Sequence, residues 1–261
     1  MANMGIVTLL TDFGLRDHFV AAMKGVILNL NPNLSFVDIS HMVSAQDIFG
    51  GAFRLGQVWS LFPLKTVHLA VVDPGVGTAR KPMVASAGGQ FFVAPDNGLL
   101  SYVMDGRDDF IAHEITADHY FRKPVSDTFH GRDIFAPIAA WVSRGIPLDQ
   151  MGPRIQDPVC LKLPVVKKVR EGVMQGVILM IDQFGNAVTN LKPDDVPPKS
   201  KIILTGQREV AGFRKTFGEG APGEVFVIPG SCGYLEICVK NGSAAATLDL
   251  KPGAPIGVVP A

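Results

Sequence analysis

Thr66-Val67-His68-Leu69-Ala70-Val71-Val72-Asp73-Pro74-Gly75-Val76-Gly77 decides how this chain folds. Thr66 to Val72 is a nearly unbroken apolar run, rich in β-branched residues and ended by a sharp polar turn. It is too short for a helix, and it lacks the alternation of a half-exposed strand. Such a run suits a strand buried on both faces, as in a parallel sheet covered by helices. Ile6 to Leu10 repeats the pattern and ends in the turn Thr11-Asp12-Phe13-Gly14. Between the two runs, Val20, Met23, Ile27 and Leu30 recur at helical spacing until Asn31-Pro32-Asn33 stops them. Phe36 to Ile39 reads as a strand. Ser44 and Asp47 form a capping box ahead of a helix with Ile48, Ala52, Leu55, Trp59 and Phe62 on one face. Further on, Met83 to Ser86 and Gln90 to Val93 pair across Gly88-Gly89. Asp96-Asn97-Gly98 opens a short helix, and Phe110 to Ile115 is another strand. Ile134, Ile138, Trp141 and Val142 mark a helix. Pro137 must lie in its first turn, which puts His130 and Gly131 just before it.

This strand-helix rhythm predicts an α/β domain over residues 1–163, an α/β/α sandwich with a largely parallel sheet. After about residue 160 the pattern changes. Val177 to Ile181, Ile202 to Leu204, Glu224 to Ile228, Leu235 to Val239 and Ile256 to Val259 are short strand-like runs. Gly, Pro and Asn separate them, and no long helical pattern intervenes. The expectation for residues 173–261 is a smaller β-barrel domain, with Leu163 to Gly172 as linker.

The bulk composition narrows the function classes. Lys plus Arg and Asp plus Glu are 24 each, so the basic excess of a nucleic-acid binder is missing. Cys160, Cys232 and Cys238 contain no CxxC and are odd in number, which argues against a disulfide framework or zinc knuckle. No apolar run is long enough to span a membrane, and the first ten residues lack a signal-peptide pattern. The expectation is a cytoplasmic enzyme with no membrane or nucleic-acid partner.

In open α/β sheets ligands bind beyond the carboxyl ends of the strands. Asp12, Asp73 and Asp96-Asn97 follow strands, and His130 sits at a helix start. Asp12 either caps the next helix or accepts two hydrogen bonds from a ribose diol. Asp73-Pro-Gly-Val-Gly is either a tight turn or a close backbone approach to a ligand. It is neither a Walker loop nor GxGxxG. Arg80, seven residues on, could reach back and hold the Asp73 carboxylate ionised and fixed in direction. His130 suits a proton shuttle or an orienting donor, while Arg132 and Asp133 suit capping. Asp182-Gln-Phe-Gly-Asn186 is either a hairpin turn or an adenine site, with Phe184 stacking and Asn186 pairing.

Together these motifs are more specific than any one of them. In order along nearly the whole chain, Thr11-Asp12-Phe13-Gly14, Val72 to Gly77, Ala94 to Leu100, Phe129-His130-Gly131-Arg132-Asp133, Ile181 to Asn186 and Gly233-Tyr234-Leu235 resemble the S-adenosyl-L-methionine (SAM) hydroxide adenosyltransferase family. Its superfamily includes the fluorinases and chlorinases. The resemblance implies water attack on ribose C5′ of SAM, releasing adenosine and methionine, without metal or cofactor. It implies a catalytic triad of Asp73, Arg80 and His130. It places Asp12 at the ribose hydroxyls, Asn186 and Phe217 around adenine, and Asp17, Asp182 and Ser231 at the methionine end. It also implies an α/β domain followed by a barrel, and a homotrimer with sites between one subunit's first domain and its neighbour's second. The halogenases carry Tyr in place of Asp73, Thr in place of Val76 and Tyr-Ser in place of His130-Gly131. Phe19 and Cys232 stand where halogenases have Ser and Arg. A carboxylate at position 73 would repel a halide, so the resemblance points to the hydrolytic branch. A SAM sensor without turnover and a metal hydrolase using Asp12, Asp73, Asp96 and His130 are the other readings; no paired-His motif supports the second.

Overall fold

The computed structural model describes residues 5–197, 200–204, 208–210 and 212–260. The chain forms two compact units, one ending at Lys162 and the other beginning at Leu163.

The first unit contains β1 (Gly5–Thr11), α1 (Phe19–Leu30), β2 (Leu34–Ser40), α2 (Ile48–Val58), β3 (Val67–Val71), β4 (Pro82–Ala87), β5 (Gln90–Pro95), α3 (Ser101–Met104), β6 (Ile111–Glu114), α4 (Ala136–Ser143) and β7 (Arg154–Ile155). Its sheet runs in the order β2-β1-β3-β5-β4-β6-β7. The pairs β1–β2, β1–β3 and β3–β5 are parallel. The hairpin strand β4 is antiparallel to both β5 and β6, and β7 is antiparallel to β6.

Burial explains the apolar runs. Along β3 and its exit, Val67, Leu69 and Val71 pack into one core with Met23 and Ile27 of α1 and Ile138 of α4. Ala70 and Val72 pack into a second core with Ala52 and Leu55 of α2. Alternate side chains thus feed opposite cores, and the one polar residue of the strand, His68, is buried with both ring nitrogens hydrogen-bonded, to Thr8 and Gln90. The result is the α/β/α sandwich that the sequence predicts.

Two local readings need correction. The cap of α2 is Asp47, not Ser44: its carboxylate accepts the Gly50 N–H at 2.8 Å. Ser44 supplies only its carbonyl, to the Asp47 N–H. The helical segment before Pro137 also starts earlier than the proline suggests. Gly131–Phe135 form a π turn leading into α4, with His130 at its N-cap. Proline lacks the N–H that would reach the Asp133 carbonyl, and the Arg122 N–H takes that acceptor instead at 2.9 Å.

The second unit contains β8 (Lys167–Arg170), β9 (Val173–Ile181), β10 (Ala187–Thr189), β11 (Ser200–Ile203), β12 (Glu209–Val210), β13 (Val225–Pro229), β14 (Leu235–Val239), α5 (Ala244–Leu248) and β15 (Pro255–Pro260). The antiparallel order is β12-β11-β15-β9-β10-β14-β13, with β8 on β9. The Val227 N–H reaches the Gly212 carbonyl at 2.7 Å, bringing the two ends of the sheet nearly to a closed barrel. Inside lie Ile178, Ile202, Val227, Ile237 and Val258. Part of the expected linker is therefore strand. Lys-Lys-Val-Arg conceals it because all four residues of β8 are exposed on an edge, where charge is tolerated and alternation is not required.

Candidate active site

Thr11 and Val71 are in register on adjacent parallel strands. The turns that follow therefore bring Asp12 and Asp73 to the same end of the sheet. Asn97, beyond the next parallel strand, donates its amide to the Val72 carbonyl at 2.9 Å and steadies the backbone just before Asp73. Asp96 accepts the Val159 N–H at 2.8 Å. Both members of that loop are thus engaged in holding structure.

The turn after Asp73 must pass close to the segment carrying His130. Gly77 makes this possible. Its φ is +75°, and a Cβ there would lie 2.5 Å from the Asp127 carbonyl oxygen. The approach gathers three side chains distant in sequence. Arg80 grips Asp73 with two hydrogen bonds, Nε to Oδ1 at 3.0 Å and Nη2 to Oδ2. The Asp73 and Arg80 side chains are only 4% and 8% exposed, so this is a buried fork rather than a surface ion pair. Nη2 also reaches His130 Nδ1 at 3.4 Å, and the Arg80 guanidinium lies over the Phe135 ring at 5.2 Å. Arg80 Nη1 is buried without a partner among the described residues.

The contact favours one tautomer of the imidazole. A guanidinium only donates, so Nδ1 carries the lone pair and the proton sits on Nε2. Burial first, and the Arg80 charge second, hold the His130 pKa below its usual 6.5. Asp133 is fully buried and accepts from Arg132, Arg122 and the Ser126 N–H. It anchors the His130 segment.

Asp73, Val76 and His130 line a cavity of about 230 Å³ with the rings of Phe13, Phe19 and Phe129. These rings touch one another at centroid distances of 5.2 to 6.0 Å. Such walls exclude water and strengthen electrostatic interactions inside. Asp12 does not cap α1, whose N-cap is His18. Its Oδ2 accepts the Gln46 N–H at 2.8 Å, leaving Oδ1 without a partner among the described residues. Asp17 is exposed.

The second unit holds the remaining candidates. Phe184, Asn186 and Phe217 line a cavity of about 730 Å³ with Val239, Asn241 and Gly242. Phe184 is 77% exposed, a large ring with its surface left open. Asp182 takes the Phe184 and Asn186 N–H groups and the Asn186 side-chain amide, all within 2.9 Å. The hairpin reading of that motif is thus realised, and the same turn sets the direction of Asn186. Ser231 is exposed in the 230–233 turn. Asn241 escaped the sequence reading because Lys-Asn-Gly looks like an ordinary strand end. Its left-handed backbone, φ 56°, is the signal that sets it apart. Among the described residues no His, Cys, Asp or Glu cluster of three or more could hold a metal ion.

Residues 7–152 match the model of the SAM hydroxide adenosyltransferase N-terminal domain, and residues 176–257 that of its C-terminal domain. The chain belongs to the SAM hydroxide adenosyltransferase family. Among the family's members, the (R)-S-adenosyl-L-methionine hydrolase of Salinispora tropica is 39% identical over 97% of each chain. The enzyme of the same name from Thermus thermophilus is also 39% identical, over 96% of this chain and 98% of its own. A fluorinase from an Actinoplanes species is more distant, at 27% over 98% of each. An uncharacterized conserved protein from Thermotoga maritima has the same fold, with a TM-score of 0.89, 37% identity and coverage of 97% of this chain and 99% of that one.

Proposed function

We propose that this family member hydrolyses SAM to adenosine and L-methionine by attack of water on ribose C5′. The observation that carries the reading is the buried Asp73–Arg80–His130 cluster on the wall of a small aromatic cavity. The names of its relatives support it. A sulfonium leaves as a neutral thioether, so no acid is needed at the leaving group. The demand is for a water molecule stripped of bulk solvent, aligned and relieved of a proton.

The roles follow from donor and acceptor capacity. His130 Nε2–H donates to the water oxygen and cannot take its proton while Nδ1 faces Arg80. Asp73 uses one lone pair of each oxygen on Arg80 and has others for the water. Asp73 is therefore the acceptor, Arg80 fixes its direction, and His130 aims the nucleophile. Halide is a poor alternative. Val76 and Gly131 offer no hydroxyl, and Asp73 repels an anion.

Asp12 accepts a ribose hydroxyl through Oδ1, Asn186 pairs with adenine, and Phe184 and Phe217 flank the base. Asp17 and Ser231 serve the methionine end. Asp182 serves it from its place in the turn. The cavity beside Asp73 is smaller than the roughly 300–1,000 Å³ usual for such ligands, and the Phe184 ring stands open. Both facts suit a homotrimer in which one copy's first unit and a neighbour's second unit complete each site. No cofactor enters the reading. Free thiols at Cys160, Cys232 and Cys238 suit the cytoplasm. No helix among the described residues is long and apolar enough to cross a membrane.

Incubation with SAM in halide-free buffer tests the reading. Adenosine and methionine should form in equal amounts, at a rate unchanged by excess chelator. A halogenated nucleoside appearing only with chloride or fluoride would overturn it, and so would binding without any product. The acid limb of the pH profile is a second test. Protonation of Nδ1 would set two cationic donors against each other and break the Arg80 contact that aims the ring, so turnover should fall with pH through a midpoint below 6.5. His130→Gln, whose amide retains a donor, should keep part of the rate and lose that limb. Retention of the limb would assign it to another group.

A further inference from the structure

Asp12 is held by the segment that follows β2. His41, the first residue beyond that strand, is only 3% exposed. Its Nδ1 lies 2.8 Å from the hydroxyl of Thr11, a fully buried residue at the end of β1. The same hydroxyl oxygen accepts the Phe13 N–H at 3.2 Å. The His41 carbonyl accepts the Gly14 N–H at 2.7 Å. One residue thus grips the turn on both sides of Asp12, through its ring at Thr11 and through its backbone at Gly14. Five residues further on, Gln46 adopts a left-handed backbone, φ 67°, and gives its N–H to Asp12 Oδ2. A residue with a side chain keeps that conformation only where its surroundings impose it.

The far side of the ring faces charge. His41 Nε2 lies 3.1 Å from Asp38 Oδ1, close enough for an electrostatic contact but off the line of a hydrogen bond. Asp38 Oδ2 accepts from Lys24 Nζ of α1 at 2.7 Å. A carboxylate only accepts, so in the neutral ring the proton is favoured on Nε2 and the lone pair on Nδ1. The Thr11 hydroxyl then donates to Nδ1 and keeps its own lone pairs for the Phe13 N–H. The contacts run in series from Lys24 through Asp38, His41 and Thr11 to the turn that carries Asp12 and Phe13. A side chain needed for packing alone would not bring two polar nitrogens into a buried position. Asp12 Oδ1 has no partner among the described residues, so its direction depends on the Oδ2 bond and on the backbone gripped either side of it.

We infer that His41 is a positioning residue, which through Thr11 fixes the Asp12 turn so that the free carboxylate oxygen meets the ribose diol. The inference rests on the proposed assignment of Asp12 to the ribose. His41 itself touches no part of the substrate in this reading; it acts by restricting where Asp12 points.

The test titrates two probes, adenosine and 2′,3′-dideoxyadenosine, into the full chain. The parent should bind adenosine at least about tenfold more tightly, and Asp12→Ala should remove that preference. His41→Leu should remove most of it too, while leaving dideoxyadenosine affinity unchanged. His41→Asn, whose side-chain amide still reaches for the Thr11 hydroxyl, should retain it. Thr11→Val deletes the same bond from the other side with little change of shape. It should match His41→Leu, and it decides the matter if His41→Leu does not fold. The two changes combined should cost no more of the preference than either alone. A histidine that served only stability would weaken both nucleosides equally, or lower the melting temperature without touching the preference; either outcome overturns the inference. A parent without the preference, or one that keeps it in Asp12→Ala, sinks the ribose assignment and this inference with it. Loss of the preference in Asp12→Ala but in neither His41→Leu nor Thr11→Val sinks the inference alone.

Discussion

Asp73→Asn is expected to lower turnover by about three orders of magnitude, within the 10²–10⁴ range of a positioned acid–base group. The substitution keeps the side-chain shape and one of the two acceptors for Arg80, but the amide cannot take a proton from water. Adenosine affinity should stay within about tenfold, ~1.4 kcal/mol, because Asp73 handles the nucleophile and not the nucleoside. Single-turnover kinetics and calorimetric titration give the two numbers. Unchanged turnover would remove Asp73 from the mechanism. A parallel collapse of adenosine binding would make it a ligand-binding residue. The same variant probes the proposed assembly. Copies carrying Asp73→Asn, co-assembled with copies carrying Asn186→Ala, should recover activity at the sites that unite two unmutated halves. Sites built within single copies would stay inactive.

Arg80→Met should be the most destabilising of the simple changes. It leaves the Asp73 carboxylate, 4% exposed, without its fork. Breaking one side of a buried pair costs roughly 3–5 kcal/mol, mostly from stranding the remaining charge. Urea denaturation should show that loss, and turnover should fall as the carboxylate loses its direction. The double variant Asp73→Asn with Arg80→Met separates the two effects. With no charge stranded, much of the stability should return while activity does not. If the double variant is as unstable as Arg80→Met alone, the guanidinium matters through its packing on Phe135 and not through the pair.

Legibility in the sequence followed the physics of each element. The runs at Ile6–Leu10 and Thr66–Val72 could be read because burial on both faces favours apolar residues at nearly every position, Thr8 and His68 being tolerated because they hydrogen-bond each other. Met23 and Ile27 could be read because a helix lying on a sheet buries one stripe. Edge strand β8 could not, since nothing packs on its side chains. The π turn at Gly131–Phe135 could not, because it depends on the Arg122 N–H arriving from outside the helix. Ser44 and Asp47 read as the two halves of a capping box, but the helix begins three residues later, so Asp47 is the cap and Ser44 gives only its carbonyl.

The order of motifs along the chain, from Asp12 through Asp73 and His130 to Asn186, was enough by itself to point to the family and to name the triad candidates. It left open whether Arg80 paired with Asp73 or with solvent, how His130 is set against Arg80, and whether the Asp182 motif forms a hairpin turn. Tertiary structure alone decided these. Each depends on which donor lies within about 3 Å of which acceptor. That is set by chain segments up to fifty residues apart, brought together where Gly77 lets two turns touch. Glu236 shows the same limit from the other side. In the sequence it is one more charged residue in a strand, and only the fold makes it a buried carboxylate between Val188 and Ile228.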